Sequence, residues 1–208
     1  MIAPILVILF FSIIFHEYAH GYVAMRCGDN TAKYAGRLTF NPIPHVDLFG
    51  TVILPLLLYF TQSSFLFGWA KPVPVNPYNF RNPEIDNLKV SLAGPVSNLL
   101  LAVGFTILSI LLGMFFKEYF YILIPYLKYG LKMNVLLAIF NLIPIPPLDG
   151  SHVLSYFLPP DLALKYQQIQ QYGMMLLVIF IMTPLFDIVY FFTDGISNIL
   201  LIIIQFFI

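Results

Sequence analysis

The sequence predicts an all-α polytopic membrane protein with about four to six membrane segments and a short membrane-associated strand-or-loop region after the first helix. Three observations carry this. Of the 208 residues, 60% are hydrophobic and only 10% charged, with a mean hydropathy of +0.87, whereas a soluble domain has about a quarter of its residues charged. Several apolar runs are long enough to cross a bilayer. Turn-forming residues and charges gather between those runs. There is too little polar surface to coat a water-soluble globule. The chain reads as one domain over 1–208, with a core over about 1–155 and C-terminal membrane helices over about 172–208. Ten basic residues balance ten acidic ones, so no basic face suggests a nucleic-acid partner; the expected partner of so apolar a chain is the lipid bilayer. Cys27 is the sole cysteine, which excludes an internal disulfide or a cysteine-rich metal site.

Residues 2–25 are the first span, about 36 Å long at about 1.5 Å per residue, and Arg26 closes it. With no basic n-region and no small-residue cleavage site, it reads as a retained helix. Residues 27–47 are polar and rich in turn formers, among them Gly28, Asp29, Asn30, Gly36, Asn41, Pro42 and Pro44; within them, 33–40 can pair as short strands. Residues 50–68 begin apolar, but the unbroken run 52–60 is short and holds Pro55, so a re-entrant or partial segment is expected. Residues 69–87 (WAKPVPVNPYNFRNPEIDN) are a loop kept extended by repeated X-Pro steps. Residues 90–116 and 121–144 are the second and third spans, the third broken by Pro144, Pro146 and Pro147. After a Gln-rich stretch at 167–171 comes a fourth span, 174–192; residues 196–208 are short, and are expected to lie in the interface or cross only partly. If 50–68 turns back, Arg26, Lys33, Arg37, Lys71, Arg81, Lys89 and Lys165 share one side and Lys117, Lys128 and Lys132 the other. That excess makes the first side cytoplasmic.

The chemistry starts at His16 and His20. Four residues apart on a helix, they lie about 40° apart around the axis, one turn above the other, so both imidazoles can reach one tetrahedral zinc. Glu17 beside them can take a proton from the attacking water. Ionisable groups inside a charge-poor span are costly to bury and are functional candidates for that reason. A catalytic zinc also needs a third protein ligand and an open position. Asp149 has the best context among the remaining acidic residues: it follows a proline-broken helix end, and Gly150 allows the chain to come close. Its plainer role is to cap the helix that follows.

HEYAH at 16–20, AGPVSN at 93–98 and NLIPIPPLDGSH at 141–152, in that order and each on a membrane segment, resemble the HExxH, GxxxN-type and NxxPxPxLDG motifs of the site-2 protease family of intramembrane metalloproteases. The resemblance implies that His16, His20 and Asp149 bind one zinc ion, that Glu17 is the catalytic base and acid, and that Asn98 faces the site. An amide at Asn98 can bind the scissile carbonyl; equally, it can hydrogen-bond between helices. Gly94 and Ser97 suit close helix packing. Asn141 can hold an extended substrate strand, or satisfy carbonyls freed by Pro144 and Pro146. His152 fits a supporting position beside the ligands. Two further stretches, NPIPHVDLFGT and FGWAKPVPVNP, look like signatures of a compact branch without PDZ or CBS domains. Within them, His45 and Asp47 form either a second polar cluster near the metal or an ordinary turn.

The expected activity is zinc-dependent hydrolysis of a peptide bond in or near the transmembrane helix of a membrane protein substrate. Residues 33–40 and 69–77 are expected to offer strand edges to an unwound substrate. The expected location is the cell membrane, with the active site toward the cytoplasm. The alternatives are a non-catalytic metal-containing binding protein and, further off, a metal transporter.

Overall fold

Within lipid the backbone must satisfy its own polar groups, which leaves helices or a closed barrel as spanning elements, and the long continuous apolar runs of this chain suit helices. The computed structural model describes residues 2–61 and 69–208. Helix α1 is Ile2–Cys27, α2 is Thr31–Tyr34, α3 is Leu54–Phe60, α4 is Pro83–Phe115 and α5 is Lys117–Asn141. They are followed by α6 at Asp149–Phe157, α7 at Pro160–Ile169, α8 at Gly173–Met182 and α9 at Asp187–Phe207. Among the described residues, four helical stretches are long and apolar enough to cross a membrane: residues 4–27, 83–115, 117–141 and 184–207. Only 28%, 28%, 33% and 22% of their apolar windows are buried inside the protein. The remaining apolar surface faces outward and requires lipid, which makes this an integral membrane protein.

Helix α4 is the centre, packing on α1, α5, α6 and α9. Ala102, Leu131, Val135 and Ile204 form one core where α4, α5 and α9 meet; Ala24, Cys27, Phe80 and Val90 form another at the end of α1. Between α5 and α9, Lys132 and Asp194 form an ion pair of 2.7 Å, with both side chains about half exposed on the outer face.

Two expectations change. Residues 33–40 do not pair as strands: 31–34 make a helical turn, 35–36 a turn and 38–40 bends. Their backbone polar groups bond locally instead, as Ala35 to Thr31, Gly36 to Lys33 and Arg37 to Ala32. The fourth span is shifted. Its break falls at Thr183, extended at ψ 158° ahead of Pro184, and not near 192. Residues 196–207 are therefore the second half of a 21-residue helix, Asp187–Phe207. The physical reason is Pro184, which disfavours helical backbone at the residue before it, whereas Thr193, Asp194 and Gly195 are tolerated inside a packed helix. The stretch read as 50–68 is helical from Leu48 to Phe60, first as a π-helical turn and then as α3; its part at 62–68 lies outside the described residues.

Candidate metal centre

His16 and His20 sit on one face of α1, and Asp149 opens α6 beyond the proline-rich turn after α5. The Nε2 atoms of the two histidines are 3.0 Å apart, and Asp149 Oδ2 is 3.3 Å from each. The opposite ring nitrogens reveal which atoms carry protons. His20 Nδ1 is 2.7 Å from the carbonyl of Val90, which can only accept, so Nδ1 donates. His16 Nδ1 is 2.7 Å from Asn98 Oδ1. The Asn98 amide nitrogen donates to Asn134 Oδ1 at 2.9 Å and to the Ser12 carbonyl at 3.3 Å, so its oxygen is the acceptor for His16. Neutral rings protonated at Nδ1 present bare lone pairs at Nε2. Two such lone pairs and a carboxylate oxygen therefore converge in a partly buried space, and Asp149 Oδ2 is buried with no hydrogen-bond partner among the described residues. Three electron-rich atoms this close repel one another unless a cation lies between them. The two-nitrogen, one-oxygen set fits a catalytic divalent ion with an open position. These are the residues the structure brings together as a possible metal-holding group.

Local sequence explains the geometry. Spacing by four puts both rings on one side of α1. Gly94 makes room for them on α4: a Cβ there would stand 2.3 Å from His20 Nε2 and 2.4 Å from His16 Cε1. Gly150 lets α6 start against the end of α5, since a Cβ would lie 2.1 Å from the Leu142 carbonyl oxygen. Asp149 is the first residue of α6, the cap position is Leu148, and no side chain caps the helix. The capping role is thus not what holds Asp149.

Glu17 Oε2 accepts the backbone N–H of Val73 at 2.7 Å. Glu17 lines two cavities that share His16, Pro72, Asn141 and Pro147. One, of about 390 Å³, is edged by polar groups such as Asn87, Ser91 and His152. The other, of about 430 Å³, is edged by Ile13, Leu137, Phe140, Met174 and Leu177.

The remaining candidates fall as follows. Asn98 is fully buried and its amide is engaged between α1, α4 and α5, the interhelical arrangement of the two its sequence context allowed. Asn141 donates to the Leu137 carbonyl of its own helix at 2.9 Å and faces both cavities. His152 is exposed one turn beyond Asp149 and outside the metal-holding group. His45 and Asp47 are not part of that group. His45 bonds the Thr39 carbonyl at 2.9 Å, and Asp47 accepts the N–H of Gly50 at the start of the next helical turn. Missed from sequence were Asn134, Ser12 and the Val73 amide. Asn134, an amide in mid-span, carried the signal, since buried polar groups in lipid must be paired.

A polytopic protein with two histidines and a carboxylate converging among its spans defines the class of membrane-embedded metal-site proteins. Residues 114–183 match the model of Peptidase family M50. "Putative zinc metalloprotease YwhC" of Bacillus subtilis is 42% identical over 187 residues, covering 88% of this chain and 82% of that protein. "Putative zinc metalloprotease Rip2" of Mycolicibacterium smegmatis is 31% identical over 197 residues, covering 90% and 72%. "Putative zinc metalloprotease MJ0611" of Methanocaldococcus jannaschii is 33% identical over 149 residues, covering 69% and 64%. No solved structure matches the chain significantly. The chain belongs to peptidase family M50, the site-2 protease family.

Proposed function

We propose that this protein is an intramembrane zinc protease that hydrolyses a peptide bond in or near the transmembrane helix of a membrane protein substrate, as one domain over 1–208. The observation that carries the reading is the convergence of His16 Nε2, His20 Nε2 and Asp149 Oδ2 within 3.3 Å beside the carboxylate of Glu17. His16, His20 and Asp149 would hold one zinc ion. When bound, it supplies a Lewis acid that polarises the scissile carbonyl and makes water more acidic. Glu17 takes the proton of the attacking water and delivers it to the leaving amine. Asn98 acts through His16: accepting from Nδ1 fixes the ring's tautomer and aims Nε2. Asn141, at the junction of the two cavities, offers its amide to the substrate main chain. The apolar cavity suits a side chain of a substrate helix, and the polar one suits the entry of water.

The excess of basic residues around the Arg26 end of α1 supports a cytoplasm-facing site in the cell membrane. The test is zinc analysis of the purified protein combined with cleavage of a single-span reporter in liposomes. Wild type is expected to carry one zinc and cleave, whereas Glu17→Gln keeps the zinc and cleaves at least about 10²-fold more slowly. Equal cleavage by both proteins would overturn the role of Glu17. No cleavage by wild type across a broad panel of helices would favour a binding protein.

A further inference from the structure

We propose that residues 69–79 form a fixed strap holding the Glu17 carboxylate, and that Arg37, His45 and Asp29 are positioning residues that act through it. This rests on Glu17 being the base. The strap reads Lys71-Pro72-Val73-Pro74-Val75-Asn76-Pro77. Proline has no N–H, so the Val73 amide stands alone between two residues without donors, and the X-Pro steps keep the segment extended. That single amide is the one that meets Glu17 Oε2, at 2.7 Å.

The strap is gripped on both sides of Val73. Upstream, Lys71 is held at both of its backbone polar groups. Its N–H donates to the His45 carbonyl at 2.9 Å, and its carbonyl accepts from Arg37 Nη2 at 2.6 Å. His45 is fully buried, fixed by donating from Nε2 to the Thr39 carbonyl, and Arg37 is 7% exposed. Downstream, fully buried Asp29 accepts the Asn76 N–H at 2.7 Å and the Asn79 side chain at 2.8 Å. Beneath, Gly21 lies one turn beyond Glu17 on α1, where a Cβ would be 2.8 Å from Val73 Cγ1. The bare glycine face lets the strap lie on the same helix as the base.

These anchors are costly. Arg37 Nε and His45 Nδ1 are buried without hydrogen-bond partners among the described residues, and unpaired buried polar atoms destabilise a fold. What the arrangement achieves is a defined position for one N–H, and a general base needs its reactive oxygen held to within about 0.5 Å. The strap is also poorly suited to pairing with substrate as a donor edge. The amides of Trp69, Lys71, Val73 and Asn76 already have acceptors, and Pro72, Pro74 and Pro77 have none to give.

The experiment uses the full chain in liposomes with a single-span reporter, and reads kcat, KM, zinc content and amide exchange of the 69–79 peptide. Arg37→Ala is expected to lower kcat about tenfold while KM and zinc content hold and exchange at 69–79 accelerates, with Arg37→Lys recovering part of the loss. Val73→Pro, which removes the donor as well as the side chain, is expected to fall about tenfold in kcat below Val73→Ala, which removes the side chain and keeps the donor; this pair decides if Arg37→Ala does not fold. Unchanged kcat in Arg37→Ala, or equal kcat for Val73→Pro and Val73→Ala, would overturn the proposal, as would loss explained by lost zinc. If Glu17→Gln still cleaves, the failure lies in the assignment of the base and not in the strap.

Discussion

Gly94 and Asn98 determine how the two histidines face each other. Gly94 leaves the helix surface bare where the imidazoles lie, and nothing larger than hydrogen fits. Gly94→Ala is therefore expected to displace one ring and lose bound zinc while the protein stays folded. Zinc stoichiometry alongside thermal unfolding checks this, and full zinc occupancy would count against it. The meeting of His16 and His20 was legible in the sequence because helical spacing and membrane cost act on single residues, and Asp149 stood out by following a proline-broken helix end. The orientation of His16 by Asn98 was only half legible: the residue stood out, but its partners Ser12 and Asn134 lie on other helices. Interhelical register is not written in a local pattern. For Asn141 the sequence offered a hold on substrate or a partner for carbonyls freed by Pro144 and Pro146; the structure gives its amide the Leu137 carbonyl instead and sets it at the junction of two cavities.

The first three spans were legible from apolar length, whereas their ends and the true place of the fourth were not. Helix α4 begins at Pro83, ahead of the apolar run, because Pro at the first helical position and Glu84 and Asp86 in the first turn favour a helix start. The strand reading of 33–40 failed because β propensity needs a partner edge, and the nearest extended segment, the strap, has few free donors. The strap also carries a pH dependence. Burial pushes the Asp29 carboxyl up, but hydrogen bonds from Asn76, Asn79 and Thr31 outweigh it and hold the group below the usual carboxylate range. The folded state thus binds this proton less tightly than the unfolded chain. Asp29 stabilises the fold above the unfolded value of about 3.9, and this stabilisation is lost as pH falls through that value and below. The unfolding temperature of wild type should therefore drop more steeply between about pH 5 and pH 3 than that of Asp29→Asn. Parallel curves would refute the assignment.

At the scale of the whole molecule, a sheath of apolar side chains surrounds a polar interior running from the Ser12–Asn98–Asn134 network to the metal-holding group. Composition alone foretold the sheath, because it is a matter of how many residues are apolar. It could not foretell the interior, which needs three helices to present two amides and a serine at one depth. The ion pair between α5 and α9 belongs to this scale, and it bears on how the protein is made. A lone Asp at the centre of a helix adds about 2.5–3.5 kcal/mol to the cost of entering the bilayer, and Asp194 lies well inside α9. Its counter-ion, Lys132, is on α5, which leaves the ribosome first. Helix α9 therefore meets a waiting charge, and its entry into the membrane is conditional on α5 having entered before it. In a translocon insertion assay α9 alone should insert poorly, Asp194→Leu should rescue it, and Lys132→Ala should impair α9 within the full chain. Efficient insertion of the isolated helix would show that the order of synthesis does not matter. With the pair in place, the chain is not committed to its final topology until α9 arrives.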